Sequence, residues 1–132
     1  MSWYLAALRK YAVFSGRSRR KEFWYFTLFD VIVGVLVGIV GLILLPSVGA
    51  GPFSLSLGAV ALPAIYGLLV LIPSLAVLVR RLHDTGRTGW WWLVGFVPVF
   101  GEIVLLVFML QDSEAAANEY GPNPKLAPNL AT

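Results

Sequence analysis

Read as a string of apolar and polar positions, the chain consists of long apolar runs separated by short polar breaks. Three runs dominate: Phe23 to Leu45, Gly58 to Val79 and Trp90 to Leu110. As a helix, the first would extend about 34 Å, enough to cross a hydrocarbon core. Sixteen of its residues are Phe, Leu, Ile or Val. At roughly −0.4 kcal/mol each, they outweigh the roughly +3 kcal/mol that an acid at Asp30 can cost. The second run is uncharged, with Pro63 near its start and Pro73 inside. Proline lacks an N–H, so the spacing predicts a kink at Pro73. The third run is interrupted by Pro98-Val99-Phe100-Gly101, and Glu102 follows at once.

Ahead of these runs, residues 2–14 carry a helical period. Trp3, Tyr4, Leu5, Ala7, Leu8, Tyr11, Ala12 and Phe14 share one arc, and Ser2, Ala6, Arg9 and Lys10 lie opposite, with Val13 the exception. This pattern predicts an amphipathic helix lying in the headgroup layer. Pro46 to Leu57 is uncharged and rich in Gly, Pro and Ser, a loop signature. Its Val48-Gly49-Ala50 resembles a signal cleavage site. The preceding apolar run is far longer than a signal core of about 7–15 residues, so an uncleaved anchor is expected. The predicted fold is an all-α membrane protein in a single domain, residues 1–132. It has an interfacial helix (2–14), three transmembrane segments (23–45, 58–79 and 90–110) and a polar tail (111–132) with little regular structure.

Composition supports this picture. Of the 132 residues, 58% are hydrophobic and 13% charged, and the mean hydropathy is +0.79. A soluble domain of this size could not cover so much apolar surface. The absence of cysteine excludes disulfides, thiolate metal sites and cysteine nucleophiles. A single histidine, His83, leaves no histidine-rich metal site within one chain. No cofactor is expected.

Charge orients the chain. Six of the ten cations lie in the first 22 residues, three in the polar island Arg80–Trp92 and one in the tail, with none in Pro46–Leu57. The positive-inside rule then puts the amino terminus and the island in the cytoplasm. Three full spans would leave the carboxyl terminus outside, and this is the expected threading. The competing arrangement folds the third run back at Pro98–Gly101, and irregular backbone at depth then needs protein or water around it.

Candidate chemistry concentrates on that shared face. Arg17, Arg19, Arg20, Arg80, Arg81 and Arg87 present planar donor forks suited to phosphate oxygens. Together with His83, Asp84 and Trp90 they form a candidate surface for anionic lipid headgroups or a membrane-protein partner. The plainer reading is that the cations merely obey the positive-inside rule. The run Arg17–Lys21 abuts an apolar span, which favours lipid over nucleic acid as its partner. His83-Asp84 could act as an oriented acid–base pair. Adjacent helical residues point about 100° apart, however, so a helix end capped at Gly86, with Thr88 capping the next helix, is favoured. Asp30 and Glu102 are intramembrane acids, candidates for a transport path or for structural carboxyls, and Arg80 or Arg81 could reach toward Asp30. Gly34, Gly38 and Gly41 permit close helix approach, within the protomer or in a homo-oligomer.

Four motifs then stand together: Phe14–Phe26 (FSGRSRRKEFWYF), Arg80–Trp91 (RRLHDTGRTGWW), Pro98–Gly101 (P-x-x-G) and Asn118–Pro124 (N-x-Y-G-P-x-P). In these the chain resembles the domain-of-unknown-function family 805, small proteins of the bacterial inner membrane. The resemblance implies a short multi-span inner-membrane protein and brings no activity or catalytic residue with it. Glu102 stands where the family is expected to carry an apolar residue. The tail motif argues against an irrelevant outer tail.

Overall fold

The computed structural model describes residues 2–45, 47–48 and 55–126. The helices are α1 (Ser2–Arg9), α2 (Arg20–Leu44), α3 (Leu57–Asp84) and α4 (Phe100–Leu110), with a 3-10 helix at Gly89–Phe96. Strands β1 (Ser47–Val48) and β2 (Leu55–Ser56) pair antiparallel, Ser47 opposite Ser56 and Val48 opposite Leu55. Within the Pro46–Leu57 segment, residue 46 and residues 49–54, which include Gly49 and Ala50 of the cleavage-like site, lie outside the described residues, as do 127–132 of the tail. The chain forms two compact units, residues 27–72 and residues 1–26 with 73–132.

In the first of these units, the glycines of α2 meet α3. Gly34 faces the Tyr66 ring, a Cβ at Gly38 would stand 3.5 Å from Pro63, and Gly41 and Gly58 touch backbone to backbone. The small-residue stripe is therefore used within the protomer. The Tyr66 hydroxyl donates to Asp30 Oδ1 at 2.8 Å. Arg80 and Arg81, the cations expected to reach toward Asp30, pair with Glu22 and Asp84.

Both long helices are apolar enough to cross a membrane, and only 6% of the apolar window of α2 is buried. A core helix of a soluble protein would bury most of that window, so lipid is the solvent these side chains require.

The second unit holds the packed core. Ala7, Phe26 and Val77 are buried together, with Tyr4, Leu8 and Phe23 against them. Tyr4 stacks on Phe26 at 5.7 Å. The arc expected to be apolar thus does face inward at Ala7, but α1 ends at Arg9 rather than reaching Phe14. A turn follows, with Val13 N–H donating to the Lys10 carbonyl at 3.1 Å, and Gly16 adopts φ +87°. Such a φ favours glycine and redirects the chain toward α2.

The third apolar run is not one helix. The 3-10 helix packs against α4, and the reversal lies at Pro98–Phe100. Val99 has φ 65° and ψ −60°, and Phe100 N–H donates to the Pro98 carbonyl at 2.7 Å. This is a γ-turn of the strained, positive-φ kind. Proline disfavours helix at Val97, and Gly101 lies so close to the Val94 carbonyl that any Cβ would collide. Each arm reaches about 16 Å, roughly half a hydrocarbon core. The third run is thus broken at Pro98–Gly101, the alternative that the sequence left open beside a third full span. Its tip is apolar and exposed, at Phe96, Val97, Val99 and Phe100.

Candidate functional site

The polar island begins as the last turn of α3. Arg80, Arg81, Leu82, His83 and Asp84 are all buried. The helix stops in a Schellman motif: Arg87 N–H donates to the Leu82 carbonyl at 3.0 Å and Gly86 N–H to His83 at 3.1 Å. Gly86 takes φ +72°, the left-handed cap that its sequence position predicts. Thr88 does stand at the N-cap of the 3-10 helix, but its side chain makes no capping bond.

Asp84 is the centre. Its Oδ1 accepts from Arg17 Nε at 2.9 Å. Its Oδ2 accepts from Ser113 Oγ at 2.5 Å and from Arg81 Nη1. Its main-chain oxygen accepts from Arg17 Nη2 at 3.2 Å and Glu114 N–H at 2.9 Å. Arg17 spends its remaining donors on the tail, at Glu114 O (2.7 Å), Ala116 O (2.9 Å) and Gly121 O (3.3 Å). A guanidinium has five N–H groups, and here every one is engaged.

Two more arginines extend the network. Arg81 Nη2 donates to the Met109 and Gln111 carbonyls, holding the end of α4. Arg80 donates to Glu22 Oε1 at 2.9 Å and to the Ala76 carbonyl at 3.2 Å. Both ion pairs are almost fully buried. Removing one partner of such a pair leaves an uncompensated buried charge and costs about 3–5 kcal/mol. Ser18 joins the arginines through backbone bonds, its N–H to Arg80 O at 3.0 Å and its carbonyl to Arg81 Nη1 at 3.5 Å.

His83 does not pair with Asp84. Its Nδ1 lies 3.2 Å from the Gly16 carbonyl, an acceptor that assigns the proton to Nδ1. Its ring stacks flat on Tyr120, centroids 3.8 Å apart, and its carbonyl accepts from Asn118 Nδ2 at 2.9 Å. The remaining predicted residues lie outside the cage. Arg87 sits 3.8 Å over the Phe108 ring. Arg19 holds the Pro124 carbonyl. Arg20 is exposed, donating to Leu110 O at 2.9 Å with Asp112 at 3.7 Å. Lys125 also bonds Asp112, and that ammonium holds the Asp112 carboxyl below the usual carboxylate range. Trp90 is 74% exposed. Glu102 is exposed in the first turn of α4, where the helix dipole favours an acid.

The tail is irregular, as expected, yet it is bonded throughout. Asn118 and Gly121 exchange backbone hydrogen bonds, and the Asn123 side chain donates to Ala115 O at 3.1 Å. The tail is tied to Arg17, Arg81 and His83 and packs beside them. Of the two threadings read from sequence, these bonds favour the one in which the third run folds back and the tail returns. Sequence reasoning missed Ser18, Glu22, Ser113, Glu114 and Tyr120 as partners in this network. Only the Asn118–Pro124 motif carried a signal for the tail.

A pair of long helices with exposed apolar faces, a folded-back apolar hairpin and a buried arginine–carboxylate cap point to a small integral membrane protein. The chain belongs to the family described as "Protein of unknown function (DUF805)", whose pattern matches residues 11–122. It is 43% identical over 129 residues to inner membrane protein YhaI of Escherichia coli (strain K12), covering 98% of this chain and 100% of that protein. Inner membrane protein YhaH of the same strain is 40% identical over 128 residues, covering 97% and 100%. No solved structure matches. The protein is thus an integral inner-membrane protein, in keeping with the lipid-exposed faces of α2 and α3.

Proposed function

We propose that this protein is a non-catalytic module of the bacterial inner membrane, its amino terminus in the cytoplasm. On this reading the arginine–carboxylate cap fixes the membrane segments in one arrangement, and cations outside the cap engage anionic headgroups of the inner leaflet. The carrying observation is the occupancy of Asp84. Both its carboxylate oxygens are taken by Arg17, Arg81 and Ser113, so neither oxygen is left to orient His83 for acid–base work. These bonds, with that of Arg80 to Glu22, turn Arg17, Arg80 and Arg81 inward, away from any headgroup. This moves the lipid-binding role to exposed cations, and it splits the basic run that a nucleic acid would need intact.

A transport path through Asp30 and Glu102 draws less support. Asp30 is answered by the Tyr66 hydroxyl and Glu102 by the start of α4. The glycine stripe, being used inside the protomer, lends nothing to a homo-oligomer. The test is lipid mass spectrometry of the gently purified full-length protein. Anionic lipid enriched over its share of the source membrane is expected. Co-purified lipid with the bulk composition ends the headgroup reading.

A further inference from the structure

Among the described residues, seven of the ten cations are engaged by carboxylates, carbonyls or an aromatic face: Arg17, Arg19, Arg20, Arg80, Arg81, Arg87 and Lys125. The other three are Arg9, Lys10 and Lys21. Arg9 closes α1, Lys10 opens the turn after it, and Lys21 stands in the first turn of α2. Arg9 and Lys21 are exposed and Lys10 half-buried. Helix α1 is held against the first turns of α2 by the Tyr4–Phe26 stack and by the packing of Ala7 and Leu8 with Phe23 and Phe26.

Beside Arg9 and Lys10 the same segment exposes Leu5 (50%), Tyr11 (43%), Val13 (42%) and Phe14 (42%). Water is a poor solvent for that cluster. The boundary between headgroups and acyl chains suits it, since aromatic and aliphatic side chains enter the acyl layer while the cations stay among the phosphates.

We infer that α1 and the turn Lys10–Phe14 form an anionic-lipid site, with Arg9, Lys10 and Lys21 meeting headgroup phosphates and Leu5, Val13 and Phe14 seated among the acyl chains. The occupant is the bilayer's own anionic lipid. The charge is complementary, and the neighbouring spans keep lipid permanently at hand. The inference rests on the headgroup reading above and names its site, away from the Arg80–Arg81 cluster where the arginine motif would suggest it.

The experiment is native mass spectrometry of the full-length protein titrated with phosphatidylglycerol or phosphatidylcholine. Each cation near an anionic surface contributes about a fivefold preference, so three give about a hundredfold. The wild type is expected to favour phosphatidylglycerol, and R9Q/K10Q/K21Q to lose most of that preference. Val13→Ser with Phe14→Ser should weaken both lipids and keep the preference between them. Should the triple variant elute unfolded, the three single substitutions serve instead, each with about a fivefold loss. A triple variant that keeps the preference to within threefold overturns this site and leaves the headgroup reading standing. A wild type without preference ends both. Loss of an acidic partner protein from the triple variant, with lipid binding unchanged, makes the face a protein interface and also overturns the proposal.

Discussion

Arg17 and Asp84, 67 positions apart, meet twice: Nε donates to the carboxylate at 2.9 Å and Nη2 to the main-chain carbonyl at 3.2 Å. The arginine thus holds the side chain and the backbone of the residue that ends α3. Its remaining donors bind the tail, so one planar group joins the amino-terminal loop, the helix end and the carboxyl-terminal segment. A lysine could not do this, having one compact ammonium in place of a fork.

Neutralising Asp84 should therefore loosen all three segments together. Asp84→Asn leaves Arg17 and Arg81 buried with one carboxylate fewer, and a loss of about 3–5 kcal/mol is expected. Arg17→Lys should fall in the same range. Reversible unfolding in mixed micelles measures both. A loss below about 1 kcal/mol would mean that the cage contributes little to holding the cap together.

The tail's bonds predict which side of the membrane it occupies, and that side can be read directly. The chain has no cysteine, so single cysteines at Ser15 and Lys125 can be labelled cleanly in sealed inverted and right-side-out vesicles. Both should react from the same side, the cytoplasmic one. Opposite-side labelling would contradict the hairpin and restore a third full span.

Much of this arrangement could be read from sequence, and the exceptions have a physical cause. The two long spans followed from unbroken apolar runs, and the cap at Gly86 from turn chemistry that acts within a few residues. The third run stayed open between a span and a re-entrant hairpin because its composition is as apolar as a span, while its fate depends on local geometry at Pro98, Val99 and Gly101. Cation counting grouped the two arginine-bearing segments, and the structure brings them into contact at Arg17–Asp84 and Ser18–Arg81. Counting could not tell that Arg80 would find Glu22, 58 residues away, because such pairing depends on how helices pack. Ser113 and Glu114 gave no signal at all, since one supplies a hydroxyl and the other chiefly its backbone.

The hairpin reversal makes a prediction of opposite sign at neighbouring positions. Val99 holds φ 65°, a conformation that costs a β-branched residue about 1–3 kcal/mol. Val99→Gly should therefore stabilise the protein modestly, by about 1 kcal/mol, against the entropy that glycine adds to the unfolded chain. At Gly101 a Cβ would strike the Val94 carbonyl, so Gly101→Ala should destabilise by about 1–3 kcal/mol. Thermal unfolding in one detergent compares the pair. A destabilised Val99→Gly with an unaffected Gly101→Ala would show that the chain does not turn back there.

Within residues 27–72, Asp30 and Tyr66 offer a final test that separates structure from transport. The Tyr66 hydroxyl donates to Asp30 at 2.8 Å, 36 residues apart in sequence. In an apolar setting a carboxyl that loses its donor is left unsatisfied, which costs about 1–3 kcal/mol. Tyr66→Phe should therefore destabilise by about that amount. Asp30→Leu, which removes the polar group altogether and leaves only the hydroxyl to be answered, should be milder than Tyr66→Phe. A conducting acid predicts the reverse ranking in a functional assay: proton flux into proteoliposomes would fall with Asp30→Leu whatever the stability. If both variants fold and flux through the wild type matches that of empty vesicles, Asp30 is a structural acid, held in place by Tyr66.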